Sequence, residues 1–215
     1  MAGLVAVVAG GLMLRAEAPA QFGTVPALAS PPLPAAAVIV AAAPGTRAAP
    51  VQGVGPNTAP GRTPDRRPVR LVLPRLAVSA PVVPVSVGTG GALDVPDDPA
   101  VLGWWKGGAA PGAGRGSVVI DGHVDSARYG IGVFAQLRRL SVGDQVEVST
   151  TAGRTVRYAV AGRRYYGKED LPTAVFDQSL GERLVLITCG GRYDRHTGHY
   201  SQNVVLYAVP VGGNS

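Results

Sequence analysis

With 215 residues and a single cysteine, Cys189, the chain cannot close an internal disulfide, so the staple that usually accounts for cysteine in small exported domains is excluded. Its formal charge of +6 comes mostly from scattered arginines, with one small cluster, Arg62, Arg66, Arg67 and Arg70. No stretch interleaves basic and aromatic residues as a nucleic-acid surface requires, so the basic balance reads as a solvated patch facing anionic wall polymers or lipids.

In chain order, the amino terminus MAGLVAVVAGGLMLRAEAPA carries an apolar stretch over 2–14 that stops at Arg15. It is shorter than the roughly 18–20 residues that a helix needs to cross a bilayer. With small residues at Ala16, Ala18 and Ala20, residues 1–20 read as a signal peptide or as part of a membrane anchor, and export is expected. Residues 21–67 follow as Ala, Pro, Val and Gly. The chain up to Pro68 holds eleven of the 19 prolines and one aromatic residue, Phe22. Such a stretch has no core-forming pattern and is expected to be a disordered tether. Its apolar patch PAAAVIVAAAP at 34–44 is bounded by prolines, which argues against a span.

Residues 68–212 carry the remaining aromatic residues and are enough for one domain. Their apolar residues come in short runs rich in Val, Leu, Ile and Tyr: VRLVLPRLAV, PVVPVSV, SVVID, DQVEVST, TVRYAV, RLVLITC and NVVLYAV. The turn TAGR between the fourth and fifth predicts a hairpin. Only GVFAQLRRLS looks helical, through Val133, Leu137 and Leu140 at spacings of four and three. Seven or eight short strands with glycine-rich connections predict an all-β barrel or sandwich with one or two short helices. The unbroken apolar run 184–187 predicts a central strand buried on both faces, so Cys189 sits where a buried strand emerges into a loop.

Three readings of Cys189 are open: a buried small hydrophobe, an intermolecular link, or a nucleophile. Its position at a strand end, before Gly190 and Gly191, favours chemistry, because glycines let a substrate backbone approach and leave amide hydrogens free for a developing oxyanion. A thiol nucleophile needs a partner base or cation. Of the three histidines, His123 follows a strand and a glycine in VVIDGHVDS, the same strand-to-loop position that Cys189 occupies. His196 and His199, in the polar loop DRHTGHY, are expected at the surface. With Thr197 and Gly198 between them no helix holds both on one face, so no metal is expected.

LVLITCGGRYDRHTGHYSQNVVLYA, VVIDGHVDS and GVFAQLRRLSVGDQVEV together resemble a sortase, most similar to the class F sortases of actinobacteria. The resemblance spans roughly 67–211, with a strand-end His and a later I-T-C strand end in the right order about 65 residues apart. It implies an eight-stranded β-barrel and an exported cysteine transpeptidase, membrane-associated with its catalytic domain outside and without cofactor. Such an enzyme cleaves an LPXTG-type sorting signal between Thr and Gly through a thioacyl intermediate and passes the acyl group to an amine. The amine belongs to a peptidoglycan precursor or a pilin-like subunit. Carried over by position, Cys189 is the nucleophile and His123 the acid for the leaving amine; Thr188, Gly190 and Gly191 border the substrate. The family's arginine has no clear counterpart, since alignment on Thr197 and Gly198 places Asn203 at its position. Arg195 is the preferred candidate and Arg192 the alternative.

The family's T-L-x-T-C signature is kept in part, with Val185 in place of its first Thr. LPTAV at 171–175 resembles a sorting signal itself, but another predicted strand follows it and not a tail, so it reads as an ordinary loop. Two alternatives stand beside this reading. One is an L,D-transpeptidase, whose Ser-His-Gly before the cysteine is here Leu-Ile-Thr. The other is a non-catalytic surface β-module whose thiol forms an intermolecular disulfide.

Overall fold

The computed structural model describes residues 21–23, 65–88, 92–196 and 198–212. The expected signal peptide or anchor at 1–20 and the patch at 34–44 lie outside the described residues, as does most of the expected tether. No helix among the described residues is long and apolar enough to cross a membrane.

Among the described residues eleven strands follow in chain order: β1 Phe22–Gly23, β2 Pro68–Leu73, β3 Val78–Val85, β4 Leu102–Trp105, β5 Ser117–Asp121, β6 Asp125–Ser126, β7 Gly130–Ile131, β8 Gln145–Thr150, β9 Thr155–Gly167, β10 Arg183–Asp194 and β11 His199–Pro210. Eight of them, in the order β9-β11-β10-β5-β4-β3-β2-β8, form one sheet that β8 closes by pairing back to β9. This is the expected eight-stranded barrel, with no open edge between β8 and β9 over the residues they share. β6 and β7 form a separate small ribbon.

Alternation along the strands divides the apolar residues between two cores. Leu71, Leu102, Val118, Ile120, Leu184, Leu186 and Leu206 point into the barrel, with Phe134 and Leu137 closing over them. Val119, Val185, Ile187, Val205 and Tyr207 point outwards and are covered by Leu171, Val175 and Phe176 from the segment between β9 and β10. LPTAV is therefore a loop packed on the barrel wall. Phe176 lies edge-on to Trp105 with ring centroids 5.2 Å apart. Residues 184–187 are buried on both faces, as their unbroken apolar run predicts.

Several boundaries differ from the expected ones. VRLVLPRLAV is two antiparallel strands, because Pro74 opens a 3-10 turn, Pro74–Leu76, and Ala77 leaves it at a φ of 52°. The helical stretch is a 3-10 helix, Val133–Arg139, which buries Phe134 and Leu137. The turn at 151–154 closes the β8–β9 hairpin, with Thr150 N–H donating to Arg154 O at 2.8 Å. Within the stretch read as a tether, Phe22 and Gly23 pair with Arg163 and Gly162 of β9. Arg164 donates to the carbonyls of Phe22 at 2.8 Å and Gly23 at 2.7 Å, and the Arg163 guanidinium lies 4.3 Å from the Phe22 ring centre.

Candidate active site

β5 and β10 run side by side and parallel, from Ser117 opposite Arg183 to Asp121 opposite Ile187. Parallel neighbours end on the same rim, so whatever follows each strand is delivered to the same place. The pairing continues past the last register pair. Gly122 N–H donates to Ile187 O at 3.1 Å, and the buried Thr188 hydroxyl donates to Gly122 O at 2.8 Å. One residue further along each chain stand His123 and Cys189. Both are half-buried and both line a cleft of about 770 Å³. The structure thus brings together the two residues that the sequence singled out, and Thr188 is what ties their strands.

The walls of the cleft are apolar, from Leu93, Trp105, Leu171, Phe176 and Ile187, and its polar lining includes Asp121, Lys168 and Asn203. A second cavity of about 650 Å³ shares Thr188 and Cys189 with it and is lined further by Asp125, Phe134, Tyr165, Arg192 and Tyr200. In that cavity Tyr200 Oη donates to Asp125 Oδ2 at 2.5 Å, and this bond is the main reason the Tyr200 hydroxyl is pushed up to about 12. His123 Nε2 lies 3.0 Å from Pro96 O; a carbonyl only accepts, so that nitrogen carries a proton in this arrangement.

Cys189 faces Asn203 across the β10–β11 ladder. Immediately beyond, the ladder bulges between Gly190 and Tyr193. Gly191 holds a φ of 78° there, and Arg192 N–H reaches Ser201 Oγ at 3.0 Å. A side chain on Gly190 would meet Val204 Cγ2 at 2.4 Å, so both glycines are required where the backbone turns close to β11. Arg192 is exposed and lines the second cavity. Arg195, His196 and His199 are exposed at the tip of the β10–β11 hairpin, and none of the three lines either cavity.

Sequence reasoning passed over two residues. Lys168 follows directly on β9, and its ammonium donates to Cys189 Sγ at 3.0 Å and to Asn203 Oδ1 at 3.0 Å. In the stretch GKED it reads as a solvated charge, and nothing local distinguishes it. Asp121 is 4% exposed, and among the described residues neither carboxylate oxygen has a hydrogen-bond partner. Burial pushes its carboxyl up to about 7.

The Sortase domain family model matches residues 71–211, more than half of the chain. The chain belongs to the sortase family. Sortase A of Corynebacterium diphtheriae, in a lid mutant, is 24% identical at a TM-score of 0.54, over 69% of this chain and 73% of that one. Sortase C-1 of Actinomyces oris is 25% identical at a TM-score of 0.51, over 69% and 77%. Sortase C1 of Streptococcus agalactiae, in complex with MTSET, is 15% identical at 0.53, over 70% and 72%. No curated protein is similar enough in sequence to match. Membership of the sortases makes this protein a transpeptidase and removes the L,D-transpeptidase alternative.

Proposed function

We propose that this sortase is an exported, membrane-associated cysteine transpeptidase in which Cys189 attacks the Thr carbonyl of an LPXTG-type sorting signal. The S–C bond forms as the carbonyl π pair moves to oxygen. Collapse expels the Gly nitrogen, which takes a proton from His123 and leaves a thioacyl enzyme. An amine of a wall precursor or of another protein subunit then attacks the thioester and gives a proton to His123; the C–S bond breaks as the amide forms, and the Cys189 sulfur leaves as a thiolate that regains the proton from His123. The observation that carries this reading is the parallel β5–β10 pair, locked by Thr188 and Gly122, whose ends put His123 and Cys189 into one cleft.

The apolar cleft suits an extended peptide, and the second cavity at the same sulfur offers the amine its own approach. Gly190 and Gly191 keep the backbone beside the thiol free of side chains. Arg195 and Arg192 stay the arginine candidates from sequence, and the lining of the second cavity by Arg192 favours the latter. Placement in class F rests on the resemblance of LVLITCGGRYDRHTGHYSQNVVLYA, VVIDGHVDS and GVFAQLRRLSVGDQVEV.

Incubation with an LPXTG peptide is expected to leave an acyl adduct on Cys189, detected by mass spectrometry. Cys189→Ala should abolish peptide cleavage without unfolding the barrel, and His123→Ala should lower turnover by about 10²–10⁴. Cleavage by purified Cys189→Ala would sink the assignment. A dimer on electrophoresis that reductant dissolves, with no adduct, would favour the non-catalytic surface module.

A further inference from the structure

We infer that Lys168 is the catalytic cation of this site and receives the oxyanion that forms when Cys189 attacks its substrate, an assignment that rests on the acyl-transfer reading above. Three adjacent strands set it there. β10 places Cys189 opposite Asn203 of β11, and β11 places Asn203 opposite Tyr166 and Gln202 opposite Gly167 of β9. Lys168 is the next residue, so the ladder lines up thiol, amide and ammonium in a row across the rim. The ammonium has three donors. One points at Sγ and one at Asn203 Oδ1, both at 3.0 Å, and the third is available to a ligand in the cleft that Lys168 lines.

Among the described residues no carboxylate pairs with Lys168, so its charge is not spent within the protein. When Sγ bonds the acyl carbon, the carbonyl oxygen stands two bonds from the sulfur. A donor at hydrogen-bond distance from Sγ reaches that oxygen by a small rotation of a flexible side chain. The thiol proton passes to His123, the S–C bond forms, and the π pair settles on oxygen facing the ammonium. As the C=O bond re-forms, the C–N pair leaves with the proton from His123. Lys168 gives up no proton in this sequence; it supplies positive charge where negative charge develops. Asn203 is a positioning residue that holds the ammonium over the sulfur. The two exposed arginines are not needed for that task.

Two readouts test this, both on the full chain. Single-turnover acylation by an LPXTG peptide, with steady-state kcat and KM, is compared for wild type, Lys168→Met, Lys168→Arg and Cys189→Ala. Lys168→Met is expected to lose about 10²–10³ in kcat with KM little changed, and Lys168→Arg to recover much of that loss. The second readout needs no peptide: the ratio of Cys189 alkylation rates by iodoacetate and iodoacetamide reports a cation beside the sulfur, because only the first reagent is an anion. In Lys168→Met that ratio should fall about threefold or more.

Wild-type acylation by Lys168→Met, alongside a dead Cys189→Ala, would overturn the role of Lys168 and leave the cysteine mechanism standing. So would an unchanged alkylation ratio, or a rise in KM alone. Activity in Cys189→Ala, or no adduct in wild type, would overturn the acyl-transfer reading and this assignment with it. If Lys168→Met melts before assay temperature, Lys168→Gln takes its place under the same criteria.

Discussion

A carboxyl group that cannot easily carry charge stands two residues before His123. Asp121 closes β5 inside the cleft, buried and, among the described residues, without a well-formed hydrogen bond, and burial raises it to about 7. Asp94 adds to that rise, and the nearby amides of Asp121 and Gly103 offset only part of it. The folded state therefore binds this proton more tightly than the unfolded chain, whose carboxyl titrates near 3.8. Stability contributed by the neutral form is present below about pH 4 and is lost as pH rises towards and through about 7. Asp121→Asn is expected to flatten that decline, with a gain on the order of 1–4 kcal/mol at pH 8 relative to pH 4. Thermal melts of both proteins across that range check it, and parallel curves would refute it. Asp121 and Lys168 share a reason for having escaped sequence analysis. One looks like an ordinary turn residue and the other like a surface charge, and only burial and the strand ladder give them their surroundings. Cys189 and His123 were legible because each stands where an apolar run meets glycine.

The elements show the same division between local pattern and tertiary context. Runs of apolar residues marked β5 and the buried half of β10, where inward and outward cores both demand hydrophobic side chains, and alternation marked β8, whose Val146 and Val148 face the inner core. They underestimated β9, β10 and β11, whose ladders continue through GRRYYG, GGRYD and HYSQ, where no apolar run marks them. They missed β4, LGWW, a four-residue strand with a glycine inside it. Gly103 is there because a side chain would meet Asp121 Oδ1 at 2.3 Å. The expected short helix is present as a 3-10 helix, since a spacing of four and three does not separate it from an α-helix over seven residues. The β10–β11 bulge yields a prediction with its own control. Gly191→Ala forces a side chain onto φ 78° and to within 2.5 Å of Ser201 Oγ, the acceptor for Arg192 N–H. Gly198→Ala meets a similar φ of 73° with nothing within 4 Å. Both should lose about 1 kcal/mol to backbone strain, and Gly191→Ala about 1–2 kcal/mol more from displaced β11 contacts, together with a fall in turnover that Gly198→Ala does not share. Urea melts and peptide cleavage separate them; equal losses would refute the importance of the bulge.

For the whole molecule, the barrel was legible as a class from strand count and glycine-rich connections, whereas the contacts of the residues ahead of β2 were not. Before β2, Thr151 Oγ1 donates to Asp65 O at 2.6 Å and Arg66 donates to Gly112 O, so residues 65–67 are bonded to the barrel as well. Further upstream, Phe22 packs against the barrel core and stacks under Arg163. A protein lacking residues 1–64 is expected to fold and to keep its chemistry, because every residue of the cleft is retained. It should melt a few degrees lower than the full chain, and Phe22→Ala should reproduce the drop, on the order of 1–2 kcal/mol. Identical melting of all three would show that the docked segment contributes nothing.

That docked segment also decides how far the catalytic domain can travel from whatever holds its amino terminus. If the apolar stretch 2–14 stays in a bilayer and the chain left the barrel at residue 67, residues 15–67 would give it a leash of about 180 Å at full extension. With Phe22 and Gly23 fastened to β9, only residues 15–21 would lie between, a leash of about 24 Å. The residues between the two fastened points then add slack but no reach. Under that condition, engagement of two residues on one strand edge would hold the barrel close to the bilayer, and their release would let it range several times further.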